Sequence, residues 1–167
     1  DLVAEDKEWV NTYDSGQVIL FKSNLKHIDT FEVVEKRNFY TNSSCNCVEI
    51  SDTQFETLDV TLRPKTCHDS TYCDVYIGIV KDIERNKTIP TIRVFELATN
   101  SENFDSGFNT QQIILSTNSR KYNAMYYQKQ SEAKYGNNYL KTFAWDRKEG
   151  LIRYEANNGE VFELWKK

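Results

Sequence analysis

At 167 residues the chain has the length of one domain and buries a core without depending on covalent staples. Ten Tyr, nine Phe and three Trp exclude a disordered chain, and Lys+Arg 21 against Asp+Glu 25 leaves a net charge of −4. That balance gives no general attraction to phosphate backbones or anionic membranes, so no nucleic-acid partner is expected.

The start is polar, "DLVAEDKEW", with no basic n-region followed by an apolar stretch. The chain is therefore read either as cytosolic or as one whose targeting segment has been removed. A short helical turn is predicted within "LVAEDKEWV". Period-2 alternation then recurs, predicting strands over 17–22, 29–36, 55–63, 74–81, 91–98, 111–117, 121–128, 139–145, 151–156 and 160–165. A further strand over 47–51 is expected to turn at "SDTQ" into 55–63. "QKQSEAKY" lacks an apolar stripe and reads as a loop. The longest apolar run, "VYIGIV" at 75–80, is strand-sized and far short of the roughly 18 residues of a spanning helix. With no linker, repeat or low-complexity tract, residues 1–167 read as one all-β domain. Its antiparallel, meander-rich sheet is curved into a barrel, half-barrel or sandwich.

The last strands carry the heaviest aromatic load. Asn158 and Gly159 fit the two positive-φ positions of a type I′ turn, which sets Ala156 opposite Val161 and Tyr154 opposite Glu163. "YLKTFAW" and "EVFELW" present apolar residues on both faces. The expectation is that the second face packs against loops or the N-terminal segment around Trp9 and leaves no ligand-sized cavity.

Cys45, Cys47, Cys67 and Cys73 lie close together in polar segments. Two disulfides, a zinc site of four thiolates or of three with His68 replacing one, and four free thiols are the competing readings. The spacings C-x-C and C-x5-C are not those of common zinc knuckles, and buried structural thiols prefer apolar neighbours. Disulfides joining Cys45 or Cys47 to Cys67 or Cys73 are favoured, because the expected hairpin brings both pairs to one rim. Disulfides imply an oxidising compartment, and so export. No metal or cofactor is expected.

Catalytic motifs are missing from the sequence. His27 and His68 sit in neither a nucleophile-elbow nor a zinc-protease context. Glu32, Glu35, Asp52, Glu56 and Asp59 are placed on solvent-facing strand positions, and no spacing selects a glycosidase-type pair. Asn42-Ser-Ser and Asn86-Lys-Thr match the glycosylation triplet in predicted loops.

Four stretches carry a resemblance: "EWVNTYDSGQVILFKSN", "DTFEV", "SRKYNAMYYQ" and "FAWDRKEGLIRYEANNGEVFELW". In their order, with Trp9, Gly16, Phe21, Tyr122, Gly150, Leu151, Tyr154, Gly159 and Leu164, the chain resembles small exported β-rich lipoproteins of Bacteroidetes-type bacteria. The resemblance implies a periplasmic or cell-surface location. Any membrane attachment would run through a lipid anchor upstream of residue 1. The expectation is a non-enzymatic binding or surface-associated protein whose partner is a protein, a glycan or an apolar ligand. A carrier holding an apolar ligand in a barrel cavity and a glycan-active enzyme are the alternatives.

Overall fold

The computed structural model describes residues 1–41, 55–66, 73–82, 87–99, 109–128 and 140–167. A helix, α1 (Ala4–Asn11), precedes β1 (Val18–Ser23), β2 (Ile28–Thr41), β3 (Phe55–Pro64), β4 (Val75–Asp82), β5 (Lys87–Val94) and β6 (Leu97–Ala98). Then come β7 (Asn109–Ile114), β8 (Lys121–Gln128), β9 (Leu140–Asp146), β10 (Gly150–Ala156) and β11 (Val161–Lys166). The described strands form one eleven-stranded antiparallel sheet, curled into a half-barrel. Its order is β6-β5-β4-β3-β2-β1-β11-β10-β9-β8-β7, two meanders joined where β1 pairs with β11. The all-β expectation holds.

Alternation does most of the local work. Leu58, Val60 and Leu62 on β3, Val75, Ile77 and Ile79 on β4, and Ile92 and Val94 on β5 are buried in one cluster. The register aligns them across the strands, Val60 with Ile77 and Ile77 with Ile92. In β1, Ile19 and Phe21 are buried while Val18 is exposed.

Three expectations are corrected. The single strand expected over 91–98 is two, β5 and β6, separated by a tight reversal at Phe95 and Glu96. Over Thr57–Leu62, β3 pairs with β2 on one side and β4 on the other, so a 47–51 strand is not its neighbour there. The residues of that expected strand lie outside the described ones, as do the 129–135 loop, the Asn42-Ser-Ser triplet and Asn86, while Lys87 and Thr88 of the second triplet open β5 and do not lie in a loop. The terminal reversal is also different. Glu155 pairs with Val161 and Tyr154 with Phe162, leaving Asn157, Asn158 and Gly159 as a three-residue loop. Its geometry is a type I turn, with Gly159 N–H donating to the Ala156 carbonyl at 3.0 Å, closed by Gly159 at φ +83°. Asn158 does not take a positive φ. The reason is burial. This register places Phe162 on the same face as Tyr154, stacked at 4.9 Å, whereas the two-residue turn would set Glu163 there.

The carboxylates Glu56 and Asp59 are likewise not solvent-facing: their side chains are 4% exposed. Glu56 shares the Leu58 face and lies under α1. There it accepts the Leu2 N–H at 2.9 Å, Lys7 Nζ at 2.6 Å and Asn38 Nδ2 at 3.2 Å. Asp59, on the opposite face, takes a two-pronged contact from Arg37 at 3.1 and 2.8 Å.

α1 and the residues after it cross the concave side. The helix packs on β3 and β4 through buried Val10, and the segment behind it drives Tyr13 against β9 and β10. Tyr13 meets Trp145 edge-on at 6.0 Å, and its hydroxyl accepts the Leu151 N–H at 2.8 Å. Lys36 Nζ donates to the Tyr13 carbonyl at 2.5 Å, Lys167 Nζ sits 5.5 Å from the Tyr13 ring, and Arg147 covers Trp9. The N-terminal segment thus covers the face of β9 that carries Trp145. On the outer face of β11, Glu163 accepts Ser116 N–H at 2.7 Å and Ser116 Oγ at 2.6 Å, so the segment after β7 packs there.

Gly150 makes the Tyr13 contact possible. It has φ +76°, and a Cβ there would collide with the Tyr13 hydroxyl. Gly150→Ala is therefore expected to destabilise by at least ~1–2 kcal/mol from the left-handed backbone alone. Tyr13→Phe, which strands the Leu151 amide, should cost about 1–3 kcal/mol. Denaturant titration of both variants checks this, and a Gly150→Ala midpoint equal to wild type would remove Tyr13 from its role.

Glu56 supplies a pH test. The Lys7 hydrogen bond holds its carboxyl below the ordinary range against the opposing effect of burial, with the Leu2 amide and Asn38 adding to the lowering. A depressed folded value stabilises the protein above the unfolded glutamate pKa of about 4.3. That contribution is lost as pH falls through the folded value. Glu56→Gln should be less stable at neutral pH and show a shallower loss on acidification. Parallel acid slopes for the two proteins would contradict the assignment.

Candidate functional site

The reversal between β5 and β6 builds the site. Phe95 has φ 53°, the left-handed region that bulky side chains avoid. Its N–H donates to the Asp74 carbonyl at 3.1 Å, and Glu96 Oε1 accepts the Leu140 N–H at 2.7 Å. In the sheet β5 and β9 stand on opposite wings. The reversal therefore reaches across the concave side and ties the wings together where no strand pairing does.

The Phe95 ring joins an aromatic cluster drawn from both wings. It lies 6.0 Å from Phe31 and 5.6 Å from Tyr154. Phe21 meets Phe31 at 5.2 Å and Tyr154 at 5.3 Å, while Phe162 stacks on Tyr154. Such edge-to-face pairs each add about 0.5–1.5 kcal/mol beyond area burial. The cluster is one stabilising reason that a strained Phe95 persists.

A polar pair lies within this cluster. The Tyr154 hydroxyl donates to Asp29 Oδ2 at 2.6 Å. Asp29 pairs with Phe21, which puts it on the inward face of β2. Its Oδ1 is buried and has no hydrogen-bond partner among the described residues. Burial raises the Asp29 carboxyl above its ordinary value, the Tyr154 hydroxyl and Thr30 amide offset part of the rise, and the charge of Glu160 adds to it. Burial also pushes the Tyr154 hydroxyl far up, assisted by the negative charge of Asp29. At the rim, Glu160 Oε1 lies 2.8 Å from His27 Nδ1.

Above this pair opens a cleft of about 450 Å³, within the roughly 300–1,000 Å³ range of small-molecule sites. The expectation of no ligand-sized cavity is therefore corrected: the two wings meet through one reversal rather than a continuous wall, and space remains beside it. Phe95, Tyr154 and Phe162 form its apolar walls, and Glu96, Asn158 and Glu160 its polar rim. No Lys or Arg lines it among the described residues.

Of the residues singled out in the sequence, Cys73 lines the edge of this cleft and Asn158 its rim. Gly159 closes the loop beneath Asn158. Cys45, Cys47, Cys67 and His68 lie outside the described residues, and with them the cysteine pairing and the zinc alternative. Among the described residues no group of three or more His, Cys, Asp or Glu is placed to hold a metal ion. Sequence reasoning missed Asp29, Phe95, Tyr154 and Glu160 as site residues. For Asp29 the signal existed: it shares parity with the inward Phe31 and Val33. Nothing in the sequence marks Phe95 as the residue at which a strand reverses.

Comparison with protein-family models, curated proteins and solved structures finds no match. The functional argument therefore rests on the site.

The Tyr154–Asp29 bond gives a direct test. Tyr154→Phe removes the only donor to Asp29 Oδ2 among the described side chains and should cost about 1–3 kcal/mol. It should also raise the Asp29 pKa further. Stability from a raised carboxyl is present below the unfolded aspartate value and declines as pH rises through the folded one. The variant's decline should thus shift to higher pH, as read by carboxyl-carbon NMR of Asp29 and melts across pH 4–7. An unmoved Asp29 titration would show that the hydroxyl does not govern it.

Proposed function

We propose that the protein is an exported, non-enzymatic binding domain and that the cleft between Phe95, Tyr154 and Phe162 is its binding site. One observation carries the reading: an aromatic-walled space of about 450 Å³ lies over a part-buried, hydrogen-bonded Tyr154–Asp29 pair. Ligand sites combine apolar walls with a few fixed polar groups in this way. The rim carboxylates support binding over catalysis. Glu96 is engaged by the Leu140 amide and Glu160 by His27. Export and a cell-surface or periplasmic setting rest on the cysteine content and on the resemblance to Bacteroidetes-type lipoproteins. In this reading Cys73 is tied to Cys45 or Cys47 and stiffens the cleft's edge.

A carrier for a wholly apolar ligand is less well supported, because three carboxyl groups lie in or next to the cleft.

Native mass spectrometry of protein purified from the periplasm of a Gram-negative host tests the proposal. A non-covalent adduct is expected that leaves on unfolding and is lost in Ala156→Phe, which fills the cleft. Wild-type protein without any adduct, or an adduct unaffected by Ala156→Phe, would refute the cleft as the site. On the same sample, thiol alkylation without reduction should leave all four cysteines unmodified, and four alkylated thiols would refute the export reading.

A further inference from the structure

Resting on the reading of the cleft as a binding site, we propose that it takes a small organic cation: an ammonium or guanidinium group carried on a compact apolar body. The walls and the rim select for the same charge. Phe95, Tyr154 and Phe162 line the cleft, and the negative potential of aromatic rings draws cations with an attraction that grows when the site is desolvated. Glu96 and Glu160 line the opening, Asp29 lies behind Tyr154, and no Lys or Arg among the described residues answers them.

The hydrogen-bond inventory points the same way. Glu96 and Glu160 each have one carboxylate oxygen placed on a partner, Oε1 in both cases. Among the described residues the second oxygen of each has no hydrogen-bond donor. Asp29 Oδ1 is buried and does not line the cleft, so it offers no contact to a ligand there. A carboxylate accepts through both oxygens, so the two rim carboxylates call for donors that carry charge. An anion would meet only like charge here. A neutral apolar ligand would bury these carboxylates without compensation.

The geometry also separates this cleft from a second hollow, about 340 Å³ beside Lys22, Lys26 and Trp165. There Glu163 accepts from Ser116 and Thr117 through Oε2, and two lysines line the wall and answer its charge. Of these two hollows, the aromatic cleft is the one suited to a cation.

Heteronuclear NMR titration of the full chain at constant ionic strength tests the class. The probes are choline chloride, argininamide and 3,3-dimethylbutanol, the last a neutral counterpart of choline in shape. Saturable shifts are expected at the amides of Glu96, Asn158, Glu160 and Phe162 with both cations. The neutral probe should bind about tenfold more weakly or worse. Glu160→Gln, which keeps the side-chain shape, should weaken choline by a further several-fold while leaving the melting curve near wild type. Neutral binding as tight as choline would overturn the cation class and leave the cleft as a binding site. Absence of saturable shifts with both cations would overturn the class as well, and the native adduct would then decide separately whether the cleft binds anything. A choline affinity unchanged in Glu160→Gln would also overturn it.

Discussion

A curved sheet that does not close must cover its concave face with something other than itself. Here the N-terminal segment does so, and Tyr13 is the point at which it locks. The ring packs on Trp145, the hydroxyl receives the Leu151 amide, and both Lys36 and Lys167 converge on the same residue. Leu151 is next to Gly150, the first residue of β10. Because Gly150 has no side chain, the tyrosine can approach the strand backbone directly. At the other end of this segment, Glu56 gathers the Leu2 amide and Lys7 and fixes it to β3. The segment thus joins wings that the sheet itself connects only through β1 and β11.

The second tie across the concave side is smaller and carries strain. Phe95 adopts a backbone conformation that costs on the order of 1–3 kcal/mol for a non-glycine residue. Its ring enters the aromatic cluster, and its neighbour Glu96 caps the first amide of β9. A two-residue reversal cannot seal a gap as a strand ladder does. The space it leaves becomes the cleft, so the mode of closure and the presence of a site have one cause.

Two inward-facing carboxyl groups show how environment separates chemically similar side chains. Glu56 is surrounded by donors and kept ionised, so it acts as a structural anchor. Asp29 has one strong donor and an apolar setting, and its carboxyl is pushed upward. Both face inward. What differs is the number of hydrogen bonds that burial leaves them, and the poorly satisfied group is the one beside the cleft.

The sequence by itself determined the all-β class, the positions of most strands and the N-terminal helix. Period-2 burial of residues such as Leu58, Val60 and Leu62 is a local property that needs no knowledge of neighbours. It did not determine register at the terminal hairpin. "NNG" accommodates either loop length, and only the stacking of Tyr154 on Phe162 chooses the three-residue one. Nor did it reveal that 91–98 breaks at Phe95, because the positive φ there is sustained by Phe31 and Tyr154, distant residues on other strands. The burial of Glu56 and Asp59 and the existence of the cleft were decided by the tertiary structure for the same reason. Each depends on which wing is brought against which, and curvature summed over eleven strands is not written in any one of them.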